Sequence, residues 1–333
     1  MNNLNHLLLP DINIQSIKLL PEHEEWLKTW LFEVEQDIEN GDTASSICLQ
    51  GIISELVLYK EIRTDWLGIL KEYLTDENGN PIAYSRKFGE RLFKFDGQWL
   101  QTPVHAVYTH WWIEKLHNTQ PNDAYYDLIE SFIQNNGWIY NPSVSPTNVR
   151  TRMKSELLMS FAMGIEMLNS SNRLTLYKER FEATLVGYPM TGFIAAEYFR
   201  LKVLQELGIL GLLPATVGSM IKLCEAGQGY CDFAVQDKVD DYMGTAKRTQ
   251  RDKAIHSPMV TLYVKQLSNY CEAESRTKIN NKIISFGEHL YKNPLDVPAF
   301  RMRDIDIPFG TDLSPFEIIS SSHIIGLYHT STM

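Results

Sequence analysis

Between one helix-patterned stretch and the next, this chain repeats a turn built from glycine and an aromatic ring. It reads Asp96-Gly97-Gln98-Trp99, then Asn136-Gly137-Trp138, then Gly187-Tyr188, then Gly227-Gln228-Gly229-Tyr230, with weaker copies at Gly41 in Glu-Asn-Gly-Asp and Gly310 in Pro-Phe-Gly-Thr-Asp. Glycine accepts the left-handed backbone on which a helix ends, and the ring beside it closes the corner. The flanking stretches 22–38, 43–60, 106–117, 123–134, 153–168, 192–207, 215–225, 257–269, 276–290 and 315–328 carry apolar residues at spacings of three and four, so each is expected to be a helix. Outer helix, glycine turn and inner helix then form a unit that recurs roughly every 40–56 residues, a spacing typical of helical solenoids and closed rings of helical pairs.

Closure is the expectation, because the inner stretches TGFIAAEYF and SELLMSFAMGIEML are apolar almost all round and need a second layer of helices outside them. The fold expected is all-α: an α/α toroid of about six helical hairpins in a single domain over 1–333. Residues 1–90 would complete or cap the ring, and 91–333 carry the recognisable repeats. An open solenoid is the competing architecture.

Composition removes several functions. Against 31 Lys plus Arg stand 41 Asp plus Glu, a net charge of -10, so the electropositive surface that nucleic acid needs is not expected. Cys48, Cys224, Cys231 and Cys271 are too scattered for a disulfide framework, and MNNLNHLLLP lacks a basic leader region, so the expected location is the reducing cytoplasm. No apolar run of about 18 residues is present to span a bilayer, and peripheral membrane contact stays open. Phosphate-loop, dinucleotide and serine-elbow motifs are missing. Asp237-Lys-Val-Asp240-Asp241 lacks the helical spacing that aims carboxylates at one ion, and Cys224, Cys231 and His256 do not make a zinc knuckle. Neither a metal nor another cofactor is expected, and the oligomeric state is open.

Four stretches together resemble the catalytic domain of class II terpenoid cyclases, the squalene-hopene and oxidosqualene cyclase family. Glu225-Ala-Gly-Gln-Gly-Tyr-Cys-Asp232 resembles that family's glycine-tryptophan turn, and Lys253-Ala-Ile-His-Ser-Pro-Met-Val-Thr261 an inner-helix start. Tyr188-Pro-Met-Thr-Gly192 is similar to a helix entry, and Phe309-Gly-Thr-Asp312 through His323-Ile-Ile-Gly-Leu-Tyr328 to the closing segment. The resemblance covers about residues 90–330 and one toroid, where most members carry two. It implies cyclisation of a polyprenyl chain started by an acidic Asp-x-Asp-Asp motif. The chain departs there: with Trp111 aligned to the family's later tryptophan, Val104 of Thr102-Pro103-Val104-His105 holds the acid's place, and no Asp lies between Asp96 and Asp123.

The acid must then come from elsewhere. Asp312, between Gly310 and the Ser314-Pro315 helix start, is the first candidate; the same placement also suits an ordinary helix cap. His105 and His256 open two inner helices, where an imidazole serves better as a terminating base than as a cation. Val104, Tyr108, Trp111 and Trp112 on one helix, with Tyr140, Tyr188, Phe193 and Phe309 beside glycine turns, are the expected cavity wall, whose ring faces would stabilise passing cations. The function expected is a monodomain terpene or meroterpenoid cyclase using a noncanonical acid. A non-catalytic isoprenoid-binding protein and a carbohydrate-active toroid enzyme are the alternatives.

Overall fold

A computed structural model describes residues 6–10, 12–14, 17–85, 102–117, 120–140, 154–189, 194–213, 217–218, 258–296 and 313–332. These are mostly helical, with a few isolated β-bridges and no strand among them. In chain order the helices among the described residues are α1 (Pro21–Glu39), α2 (Ser45–Tyr59), α3 (Trp66–Tyr73), α4 (Thr102–Leu116), α5 (Asp123–Ser131), α6 (Lys154–Ser170), α7 (Lys178–Leu185), α8 (Ile194–Leu207), α9 (Pro258–Ser268), α10 (Ala273–Lys292) and α11 (Pro315–Thr332). Periodicity anticipates nearly all of them; α3 and α7 escape it because eight residues hold only two turns of pattern. None of the described helices is long and apolar enough to cross a membrane.

Two kinds of helix alternate. The described parts of α2, α4, α6, α8 and α9, and the first two thirds of α11, are buried nearly all round, whereas α1, α3, α5, α7 and α10 bury one face and leave the other in water. In α10 the buried face runs through Ile279, Ile283, Phe286 and Leu290, the three-and-four spacing of an amphipathic helix. The chain groups into two compact units, one formed by Met1–Phe32, Ile53–Arg63 and Ala215–Met333, the other by Glu33–Ile52 and Thr64–Pro214. The same local rule holds inside each. In the second unit α5 lies against both α4 and α6, the buried helices before and after it, and α6 also packs on α8. In the first unit α10 lies against α9 and α11, which also touch each other.

The connecting turns explain how a one-faced helix hands over to the next. After α5, Gln134 N donates to Trp138 O (2.8 Å) and Gly137 N to Gln134 O (2.9 Å), while the Gln134 side chain donates to the carbonyls of Phe132 and Tyr140. After α3 the same loop recurs: Asp76 N donates to Asn80 O (2.8 Å), Gly79 N donates to Asp76 O (3.0 Å), and Asp76 Oδ1 accepts the amides of Asn78 and Asn80. This second copy escapes a search for glycine-aromatic turns because Asn80 stands where the other copy has Trp138. Trp138 seals its corner, edge-on to Tyr188 at 4.7 Å between centroids and against Phe161 at 4.9 Å. The turns at Gly97, Gly229 and Gly310, with Trp99, lie outside the described residues.

In the first unit a buried histidine joins three segments. His23 Nε2 donates to Pro294 O at 2.7 Å, and Nδ1 lies 2.8 Å from the Ser322 hydroxyl, whose oxygen is also 3.0 Å from the carbonyl of Ile318. Burial, the largest influence, lowers the His23 pKa.

Gly79 and Gly137 have φ of 82° and 86°, so alanine at either costs about 1–2 kcal/mol of left-handed strain. A Cβ at Gly79 meets nothing within 4 Å, whereas one at Gly137 collides with the Thr184 hydroxyl, so Gly137→Ala lowers the melting temperature more than Gly79→Ala. For His23, the unfolded chain takes up a proton near pH 6.5 and the folded one resists it to lower pH. Its contribution is therefore present above about pH 6.5 and is lost as pH falls below that value. His23→Gln should flatten the dependence of melting temperature on pH between about 7.5 and 5.

Candidate functional site

The second unit places one carboxyl group in conditions that ordinary surface glutamates never meet. Glu166 belongs to α6, in the run Phe161-Ala-Met-Gly-Ile-Glu-Met-Leu168, whose other members are all buried. A helix apolar on every side has no water-facing edge on which to place a charge, so Glu166 keeps only part of its surface accessible. Burial, the dominant cause, pushes its carboxyl up to about 7. Against that rise work the Tyr108 hydroxyl and the charges of Lys115 and Lys202, while Glu206 adds to it.

Tyr108, from α4, is fully buried and donates its hydroxyl to Glu166 Oε2 at 2.8 Å. Its ring lies 5.4 Å from that of Trp111, and Lys115 Nζ stands 4.1 Å over the Trp111 ring, a cation held on an aromatic face. Asn169 and Glu206, each one residue before its helix ends, meet at 2.6 Å. The C-terminal turns of α6 and α8 are thus adjacent, so these two helices run in the same direction. Lys202 of α8 lies 5.5 Å over the ring of Tyr198. The result is a neutral-range carboxyl bonded to a phenol, with two lysines and a second carboxylate at its outer side.

One turn before Tyr108 on α4 is His105, at the three-residue spacing that puts both on one side of the helix. Burial drives its pKa down to about 4, yet the residue keeps accessible surface. Glu166 has the same combination of partial exposure and a burial-driven shift. His105 is neutral at physiological pH and so able to accept a proton. His110, lowered to about 3, is closed in, and its Nε2 has no hydrogen-bond partner among the described residues.

The remaining expected wall residues divide into two groups. Val104, Tyr108, Trp111 and Trp112 are all buried on α4, and the Trp111 indole donates to Tyr126 OH of α5 at 3.1 Å. Tyr140 is buried at the turn after α5, and Tyr188 is half-buried against Trp138, its phenol pushed up to about 12 by burial. Asp312, His256, Phe193 and Phe309 lie outside the described residues. So do Cys224, Cys231 and the acidic run 237–241.

Sequence reasoning missed Glu166 and the pair Glu197–Arg200. Both glutamates carry the same signal, a charge set directly among apolar residues of a buried helix, in GIEML and IAAEYF. Glu197 meets Arg200 at 2.9 Å, fully buried, and the guanidinium also donates to the carbonyls of Tyr188 (3.0 Å) and Pro189 (2.7 Å), fixing the chain as it approaches α8. Among the described residues there is no group of three His, Cys, Asp or Glu able to hold a metal ion. Comparison with known protein families, with curated proteins and with solved structures finds no match to this chain.

The Tyr108 hydroxyl lowers the Glu166 pKa, so removing it has a defined sign. Tyr108→Phe should move the Glu166 titration upward from about 7. Carbon-detected NMR of labelled glutamate carboxyls, assigned with Glu166→Gln, reads it directly. An unmoved or lowered midpoint contradicts the geometry.

Proposed function

We propose that the alternating helices close into an α/α toroid and that the chain is a monodomain terpene or meroterpenoid cyclase with Glu166 as its acid. The observation that carries this reading is the Glu166 carboxyl itself, pushed up to about 7 by burial and hydrogen-bonded to a buried phenol among buried helices. A proton donor to an alkene must be un-ionised, and a carboxyl whose pKa lies near the working pH is available in that form. Glu166 would give its proton to one carbon of a polyprenyl double bond, leaving a tertiary cation at the other. Successive double bonds would attack the cation, closing rings, and loss of a C–H proton to a base would end the sequence. Neutral His105, on the same side of α4 as Tyr108, suits that last step. The proton gained at the start equals the proton lost at the end, so substrate and product are isomers.

A second reading, an isoprenoid-binding protein without catalysis, draws on Val104. That side chain is fully buried at the position where the resembled family carries its acid.

Incubation with geranylgeranylated aromatic compounds and related polyprenyl substrates, followed by mass spectrometry, separates the two. Cyclised isomers are expected, with Glu166→Gln slowing turnover by about 100-fold or more, the range of a general acid. Turnover should fall as pH rises through about 7, where Glu166 gives up its proton. Unchanged substrate across the panel, with intact lipid co-purifying with the protein, would favour the binding reading.

A further inference from the structure

Both lysines that act on the Glu166 carboxyl are held in the same way. Lys115 stands four residues after Trp111 on α4, and Lys202 four residues after Tyr198 on α8, the spacing that sets one side chain beside the other on a helix. Lys115 Nζ lies 4.1 Å from the centre of the Trp111 ring and Lys202 Nζ 5.5 Å from that of Tyr198, within the range over which a ring face attracts a cation. The rings are themselves fixed. Trp111 and Tyr198 are fully buried; the Trp111 indole donates to Tyr126 OH at 3.1 Å and packs 5.4 Å from the Tyr108 ring, and Tyr198 lies 5.3 Å from Phe199. Both lysines keep accessible surface, so each ammonium rests on a ring at the edge of the core. A lysine loose on a helix spreads its charge over many rotamers, whereas one seated on an immobile ring keeps it in one place.

These two helices both pack on α6, which carries Glu166. The groups that act on its carboxyl from them are Tyr108 and Lys115 of α4 and Lys202 and Glu206 of α8. On α5, which also touches α6, the carboxylates of Asp123, Asp127 and Glu130 are engaged by Arg173, and the adjoining short turn Leu174–Leu176 carries no charged residue. We propose that Trp111 and Tyr198 are positioning residues for the acid: their rings hold Lys115 and Lys202 so that two fixed cations stabilise the carboxylate that Glu166 becomes on giving up its proton. Charge set beforehand where negative charge develops needs no rearrangement at the moment of transfer. Such a role rests on the reading of Glu166 as the acid of a cyclase, and it explains how a carboxyl that burial keeps protonated is also made able to release its proton.

The titration of Glu166 in the full chain without substrate, followed by carbon-detected NMR of its carboxyl, tests the arrangement. Lys115→Met, at an exposed position, should raise the midpoint by about half a unit to one unit, and Lys115→Arg should keep it near the native value. Trp111→Leu should move it in the same direction although the lysine is still present. Lys115→Met added to Trp111→Leu should then shift the midpoint far less than it does alone, since the ring no longer holds the charge in place. Turnover at pH 6, where most of the acid is protonated, should fall about threefold to tenfold in Lys115→Met with KM unchanged, in spite of the higher midpoint. Should Trp111→Leu fail to fold, the ε-methylene protons of Lys115, assigned with Lys115→Arg, give a second reading, and an upfield ring-current shift is expected in the native chain. A midpoint unmoved or lowered by Lys115→Met, an equal shift from it with and without Trp111, or ε-methylene protons at their free-lysine position overturns the proposal. Midpoints that shift as expected in a chain without turnover would leave the ring-held lysines standing and remove the cyclase reading alone.

Discussion

A helix that is apolar around its whole circumference can exist in water only if other chain covers every side of it. In this protein α4, α6 and α8 come close to that and are buried nearly all round, with Val104, Val107, Tyr108, Trp111 and Ile113 covering much of α4 alone. Burying side chains of this size contributes about 1.5–3 kcal/mol each, so leaving any face bare would be costly. For α6 the buried helices α4 and α8 cover two sides and the one-faced α5 a third, and α4 is covered by α6, α3 and α5. The alternation of the two kinds along the chain, and the turns that reverse direction between them, follow from that single requirement.

The same requirement gives unusual chemistry to any charge placed on a buried helix. Two glutamates meet it in different ways. Glu197 has Arg200 at 2.9 Å on its own helix, and the pair spends its remaining donors on the carbonyls of Tyr188 and Pro189. Glu166 has a neutral hydroxyl as its near partner, with the lysines Lys115 and Lys202 acting from farther away, and its proton is held to about 7. A carboxylate paired with a guanidinium fastens structure, whereas one whose near partner is a neutral hydroxyl keeps a raised pKa. That contrast makes Glu166, rather than the more numerous surface carboxylates, the group around which a function can be argued.

The turns show how one structural task is met by different residues. Both loops, 75–81 and 133–139, place glycine at positive φ and bracket the backbone with a polar side chain, Asp76 in one and Gln134 in the other. Only the second adds a sealing ring, Trp138, with Tyr188 and Phe161 around it. The aromatic residue is thus an addition to the turn and not what forms it, and for this reason a pattern that demands the ring finds one copy and passes over the other.

Periodicity, glycine and composition, all local properties, were enough to place nearly every described helix and to expect an all-helical chain, because helix formation and helix ending depend on residues a few positions apart. They also marked Tyr108 and His105 as worth attention, on the strength of their places on α4. What the sequence could not supply was partnership. Whether Tyr108 touches a carboxyl depends on how α4 and α6 lie against each other, and whether Glu166 stays protonated depends on how much protein surrounds it. That the Trp111 indole donates to Tyr126 of α5 is likewise a matter of packing. Desolvation and side-chain contact act between residues far apart in the chain, so only the packed tertiary structure decides them.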